Sequence, residues 1–513
     1  MTDTMQLVLR KVMALASAAL LVATLSAIAV VRADKRTNVA ASGPAAAANP
    51  NSQNTTTDGG DIIDNAANPT TDGQAAAPIS GPAAAATSTG ATGGGTAAGA
   101  STTGGGTTGS NASTAPGGHL NPQTPYPNTT TNCPDYNPTV GVFCDHFLVG
   151  GTTVLSGPLA VYGDQGLKGG LAWINYFNQN IAPKERLRTA KLIWYDDNLD
   201  PNKTLQYVQR LNEVDHVLYL GGVTSPESIS PYLEQKQFPM IGDIGLSPKS
   251  YTNRYIFATA PSEQTRNPIR IKTAVQRLGI TSFGVIQDVL PSVDTTPVKQ
   301  SWQNAAKQFG VEEKAYVEIA STASDCSAQF RNVASTKPDY IIMPTASSVL
   351  LACLREAQAE SVKPKSSTTP WLKGWSGGSN LQIEVDNCKP YCEGMYSIGT
   401  VFNDPRVSTT PQMQIYRQNM ARYAPNVDMT GFIAINYYHA GYVFYSMVKQ
   451  KGIQDNLTRP NIVNSAEHFG PFDTGFGNQI TWTTALPRVP WTCGYPVQVK
   501  GDSWVFDTNK VCL

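Results

Sequence analysis

No cysteine precedes Cys133. The lipid-carrying cysteine that would follow the apolar run of a bacterial lipoprotein is therefore absent. Net charge is absent too, with 38 Lys and Arg against 38 Asp and Glu. No basic patch carries interleaved aromatics, which excludes a nucleic-acid partner. The glycine-rich stretch "VGGTTVLSG" lacks a following G-K-[ST], so it is not a phosphate-cradling Walker loop. "CKPYC" has neither a second cysteine pair nor a histidine at zinc spacing, so no metal site is expected. No cofactor is expected either. Charge is missing altogether from "VMALASAALLVATLSAIAVV", Val12 to Val31. That run is about one bilayer crossing as a helix.

Residues 1–34 therefore read as a membrane anchor or a signal peptide, with small residues Val31 and Ala33 offering a cleavage point. Either way the bulk of the chain is exported. Residues 35–132 are rich in Ala, Gly, Thr, Ser, Pro and Asn, as in "AAAATSTGATGGGTAAGASTTGGGTTGS". Such a segment buries too little apolar surface to offset its chain entropy, and a disordered linker is expected. Beside an anchor it would act as a spacer. All eight cysteines follow it. An even count in an exported domain points to disulfides, and local pairing is expected: Cys133–Cys144, Cys326–Cys353, Cys388–Cys392 and Cys493–Cys512.

From residue 139 onward strand and helix patterns alternate, over more chain than one core usually holds. "FLVGGTTV", "AKLIWYDD", "HVLYLGG", "FPMIGDIG" and "YIFATAP" read as strands. A helix from Asp164 puts Leu167, Leu171, Ile174 and Phe177 on one face, and Asp200-Pro201 caps and opens the next. A second series begins at Asn267: "IRIKTAVQRLG" as helix, "SFGVIQD", "KAYVEIA", "DYIIMPT" and "PWLKGW" as strands. This is α/β organisation twice over, with mostly parallel sheets. Ligands bind such sheets at the carboxyl ends of the strands. One segment there, "GWSGG" at Gly374–Gly378, also fits G-x-S-x-G, the nucleophile elbow of serine hydrolases.

Those post-strand segments carry a resemblance. "TTVLSGPLAVYGDQGLKGGLAWINYFN", "LIWYDDNLDPNKTLQYVQRL" and "YLGGVTSPESISPYLEQKQFPMIGDIGLSP" resemble the first strands, loops and helices of the periplasmic branched-chain amino acid (leucine/isoleucine/valine) binding proteins of ABC transporters. "DYIIMPTASSVLLACLREAQ" and "GPFDTGFGNQITW" resemble later segments. The resemblance spans about 140 to 510. It implies an α/β fold of two Rossmann-like lobes, the type I periplasmic binding protein, joined by a three-crossing hinge. Lobe 1 would comprise 139–261 and 400–485, and lobe 2 262–399 and 486–513. The crossings are expected near Pro261, Gly399 and Leu486. The implied partners are a small-molecule ligand and an ABC permease, with membrane attachment through the N-terminal segment.

The resemblance also implies a ligand set: Ser156, Tyr162, Thr224, Ser225, Gly245, Leu246, Asp288, Ala346, Trp375 and Ser376. Ser156 and Ser225 precede helix starts, where free N–H groups can meet a carboxylate. Tyr162 can pack its ring on a ligand. Other positions depart from the amino-acid binders. Leu246 stands where they place a threonine, Ala346 and Ser292 or a neighbour where they place tyrosines. Ser376 falls where they hold the acid that receives the ligand's ammonium. A buried ammonium without a carboxylate is costly, so the ligand is not expected to be an ordinary α-amino acid, unless Asp288, Asp294 or Glu263 substitutes. A carboxylate or amide with an apolar or aromatic body fits better.

Three functions compete: delivery of a solute to a permease, a membrane-tethered ligand sensor, and a serine hydrolase. The last needs His439 or His468 as base for Ser376, with an acid such as Asp404. His439 lies in the apolar helix "GFIAINYYHAGYVFYSMV", which favours a core position, and no enzyme activity is expected.

Overall fold

The computed structural model describes the backbone of Asp61–Ile63, together with Cys133 and residues 136–245, 247–290, 294–397 and 402–513. The N-terminal apolar segment, the rest of the linker, Leu246, Ser292 and the crossing expected at Gly399 lie outside the described residues.

Two sheets organise the chain. The first runs in the order β1 (Asp61–Ile63), β3 (Thr189–Asp196), β2 (His146–Thr153), β4 (Tyr219–Gly222), β5 (Met240–Asp243), β6 (Ile256–Ala258). Every pair in it is parallel except β1 with β3. Thus one short piece of the segment expected to be all linker pairs as a strand. The second sheet runs β13 (Ser503–Phe506), β12 (Val497–Lys500), β11 (Tyr396–Ser397), β10 (Gly374–Gly377), β9 (Tyr340–Met343), β7 (Ser282–Val289), β8 (Glu312–Ala320). Its β8 to β11 part is parallel, and β12 and β13 are antiparallel additions from the C-terminal stretch. Parallel strands buried on both faces explain the continuous apolar runs in the sequence.

Helices α1 (Ala160–Tyr176), α2 (Pro201–Glu213) and α3 (Pro226–Lys236) connect strands of the first sheet. Asp200 caps α2 as its sequence suggests, accepting from the backbone N–H groups of Asn202 and Lys203. The second sheet carries α4 (Glu263–Leu278), α5 (Thr296–Phe309), α6 (Ser327–Ser335), α7 (Ser347–Ala359) and α8 (Gln382–Cys388). Three later helices, α9 (Pro411–Tyr423), α10 (Phe432–Lys451) and α11 (Arg459–Ala466), return to the core of the first sheet. There Tyr416, Tyr438, Phe444 and Ile462 pack with Phe147, Trp173, Tyr219 and Leu220.

Helix α1 differs from its sequence reading. It starts at Ala160 rather than Asp164 and buries Gly163, Gly166 and Gly169, while Leu167 and Leu171 stay half-buried. The reason is close approach of α10: a Cβ on Gly169 would lie 2.2 Å from the Ala434 carbonyl oxygen. Here glycine marks the packed face, and hydrophobicity alone misplaces it. Two more elements are shifted. The strand expected over "PWLKGW" is β10, four residues later in onset, and α4 opens at Glu263 ahead of Asn267, with Pro268 in its second turn. All four expected disulfides form, and no described cysteine is free.

Candidate functional site

A cavity of about 220 Å³ lies at the carboxyl ends of strands from both sheets. Thr153, Thr224 and Asp243 reach it from the first sheet, and Asp288, Ala346 and Ser379 from the second. The N-terminal halves of α1, α4 and α10 add Tyr162, Glu263 with Arg266 and Arg270, and Phe432 with Ile433 and Tyr437.

Of the ten ligand residues implied by the resemblance, the structure brings Tyr162, Thr224, Asp288 and Ala346 together around this space. The Tyr162 hydroxyl donates to Ser347 Oγ at 2.6 Å and accepts from the Ser347 backbone N–H. Ser347 Oγ in turn donates to Glu384 Oε1 at 2.6 Å. Tyr162 sits on α1 over the first sheet, and Ser347 opens α7 behind β9 of the second, so this relay spans the cleft. Burial, then the nearby Glu384 charge, pushes the Tyr162 phenol well above its ordinary value. Burial likewise raises Glu384 to about 7, against the hydrogen bonds it accepts from Ser347 and from the Ser379 and Leu381 backbone.

Thr224 is held by Asp197, a buried carboxylate that also accepts from Thr152 Oγ at 2.6 Å and Thr204 Oγ at 2.9 Å. This cluster ties the ends of β2 and β4 to α2. Asp288 Oδ2 accepts the Ala346 N–H at 2.9 Å. Burial raises Asp288 to about 7, and the charge of Glu263 adds to the rise. Burial raises Asp243, whose carboxylate accepts the Gly245 N–H, to about 6.

The other implied residues sit elsewhere. Ser156 is exposed and lies ahead of α1, whose N-cap is Leu159. Ser225 is buried at the N-cap of α3 but makes no capping bond through its side chain. Gly245 is buried beside the cavity with φ +73°, and a Cβ there would lie 2.6 Å from the Ala260 carbonyl oxygen, so glycine is needed for the turn. Leu246 lies outside the described residues. Trp375 and Ser376 do not reach the cavity. They are interior residues of β10, 0% and 2% exposed, with Trp375 in the core of the second sheet and Ser376 hydrogen-bonded with the Tyr340 phenol. Of "GWSGG" only Gly378 lines the cavity, followed by Ser379 just beyond the pattern. The strand runs to Gly377, so Ser376 lies within it and the loop begins only at the last residue of the pattern.

This geometry gives the hydrolase reading no nucleophile–base pair. His439 is 0% exposed on α10, edge-on to the rings of Phe402 and Phe476, and neither ring nitrogen has a hydrogen-bond partner among the described residues. Burial pushes its pKa down to about 3. The His468 ring meets the Asn464 carbonyl, and Asp404 pairs with Arg406.

Sequence reasoning named Glu263 as a candidate acid but missed the two arginines that pair with it at the cavity edge. Glu263 Oε1 accepts from Arg266 Nη1 at 2.9 Å and Oε2 from Arg270 Nη1 at 2.7 Å. Burial would raise the Glu263 carboxyl, but the charges of Arg270 and Arg266 outweigh it and hold it below its ordinary value. The signal was present as E-x-x-R-x-x-x-R, three charges on one helical face. Ser347 and Glu384 were missed as well, although Ser347 lies in a post-strand segment.

Two facing α/β sheets with a cavity at their strand ends make this the type I periplasmic binding protein fold. The chain belongs to the periplasmic binding protein family, whose sequence model matches residues 148–503. None of the curated proteins compared with it matches. Solved structures of similar fold include a fatty acid ABC transporter substrate-binding protein from Thermomonospora curvata, 16% identical, covering 73% of this chain and 94% of that one with TM-score 0.62. Another is an ABC transporter solute-binding protein from R. palustris in complex with 4-hydroxybenzoate, 14% identical over 72% and 97% with TM-score 0.60. A third is a branched chain amino acid ABC transporter protein from Thermus thermophilus with bound valine, 14% identical over 72% and 96% with TM-score 0.58. At such identities the likeness is one of fold.

Proposed function

We propose that this chain is an extracytoplasmic solute-binding protein that closes two lobes around a small organic ligand and delivers it to an ABC permease. The lobes are 139–261 with 400–485, and 262–399 with 486–513, hinged near Pro261 and Leu486, with the third crossing outside the described residues. The observation that carries the reading is the cavity walled by the strand ends of both sheets. Its carboxylates favour a ligand other than an ordinary α-amino acid. A buried ammonium needs an ionised acid beside it. Glu263 is already paired with two arginines, and burial holds Asp288 and Asp243 toward their neutral forms. Calorimetric titration with leucine, isoleucine and valine tests this. No binding is expected, and micromolar binding of any of the three overturns it.

A second reading, a membrane-tethered sensor with the same clamshell, is favoured by the uncharged run Val12–Val31 and the long spacer behind it. Sequencing the mature N-terminus separates the two. Retention of Val12–Val31 supports the sensor, and cleavage near Ala33 supports delivery.

A further inference from the structure

Helix α4 brings two guanidinium groups and one carboxylate to the cavity edge, and they are not equivalent. Arg266 is fully engaged: Nε donates to the Pro261 carbonyl at 3.0 Å, Nη2 to the Ile244 carbonyl at 2.8 Å and Nη1 to Glu263, with its plane 5.6 Å from the Phe432 ring centroid. Arg270 is not. Both of its hydrogen bonds, to Glu263 Oε2 at 2.7 Å and Asn267 Oδ1 at 2.6 Å, come from Nη1. Among the described residues its Nε and Nη2 donate to nothing, although the side chain lines the cavity and the residue is buried. Glu263 is shared between the two arginines, and the other acids of the lining, Asp243 and Asp288, make no hydrogen bond to Arg270 and are raised by burial to about 6 and about 7.

Resting on the solute-binding reading, we propose that Arg270 is the ligand's anion anchor: its free Nε and Nη2 edge receives the carboxylate of an organic monoacid whose apolar or aromatic body packs on Leu159, Val223, Val298 and Phe432. The Nε–H and the adjacent Nη2–H of a guanidinium lie side by side, the spacing a carboxylate matches bidentately. Glu263 and Asn267 hold the head in place through Nη1, so little rotamer freedom remains to be lost on binding. An unpaired guanidinium edge facing a buried cavity favours an anion at that edge and disfavours a cation of the same shape. Asp288 faces the same space with Oδ1 only 3.4 Å from Gln287 Nε2, and its neutral form would add an O–H donor for the second ligand oxygen. Site specificity would thus sit on the first helix after the Pro261 crossing rather than on Ser156 or Ser225.

Calorimetry on the full chain tests this with benzoate, 4-hydroxybenzoate and decanoate, their neutral amides, and phenethylammonium as a cation. At least one acid is expected to bind, with its amide weaker by about tenfold or more, as loss of a charge-assisted pair implies. Arg270→Met is expected to weaken that acid by about 50-fold and to erase its preference over the amide, while Arg270→Lys restores part of it. Equal binding of acid and amide by the parent protein overturns the inference without any variant, so a misfolded Arg270→Met leaves it decidable. Retention of the acid preference in folded Arg270→Met, or binding of the cation, also overturns it. If no panel member binds, a thermal-shift screen of a metabolite library decides. A best hit that is a monoacid supports the anchor, and one without a carboxylate sinks it while sparing solute binding. No hit at all removes the solute-binding reading beneath it.

Discussion

The Tyr162 hydroxyl illustrates how a single atom can join two halves of a cleft. It exchanges hydrogen bonds with both the side chain and the backbone N–H of Ser347. Tyr162→Phe removes the acceptor for that N–H at a cost of about 1 kcal/mol. Hydrogen exchange at the Ser347 amide should therefore quicken severalfold, and an unchanged rate would contradict the cross-cleft relay. Titration offers a second residue-scale test. Burial raises Asp288 and Glu384 to about 7, above their unfolded values, so the folded chain holds more protons than the unfolded one between about pH 4 and 7. Their contribution to stability is full below that window and is lost as pH rises through it. His439, lowered to about 3, acts oppositely: its contribution is lost as pH falls below about 6.5. Glu384→Gln should therefore flatten the fall in urea-measured stability between pH 5 and 8. A variant whose slope matches the parent's would show that Glu384 is ionised in the fold. Tyr162, Thr224, Asp288 and Ala346 were legible because they follow strands in recognisable segments. Arg270 was not, because a helix read for its apolar stripe conceals the charges on its other face.

At the scale of elements, the strand–helix alternation was readable because each buried parallel strand is a short apolar run and Asp200-Pro201 and Ser225-Pro226 punctuate the helix starts. Boundaries were less readable where packing overrides pattern. The glycine face of α1 is set by α10, some 270 residues later in the chain and invisible to a local window. "GWSGG" reads as a loop by composition, yet Gly374–Gly377 is a central strand between β9 and β11. That placement predicts no labelling of Ser376 by a fluorophosphonate probe in the folded protein, and a stoichiometric adduct there would restore the hydrolase reading. The Cys326–Cys353 bridge staples the N-cap of α6 to the middle of α7 across a separation of 27 residues. Closing a loop of that size contributes about 3.5 kcal/mol through the unfolded chain. Replacing both cysteines with serine should lower the urea midpoint by that equivalent and leave ligand affinity within about twofold. A large affinity loss would mean that the bridge positions the Ser347 end of α7.

For the molecule as a whole, two sheets of the same parallel design face one cavity, and the chain visits each sheet more than once. Strands 146–258 and helices 411–466 share the first core, while strands 282–397 and the C-terminal pair 497–506 share the second sheet. Such interleaving means that neither half is one continuous stretch, which is what a hinged closure requires if the crossings are to bend together. A ligand held inside adds its binding free energy to folding, about 2.7 kcal/mol at 100 times its dissociation constant. The most direct measurement is the unfolding temperature of the full chain across a metabolite library. Closure around a small organic acid predicts a concentration-dependent rise with at least one such acid and none with leucine, isoleucine or valine. A flat response across the whole library would contradict it.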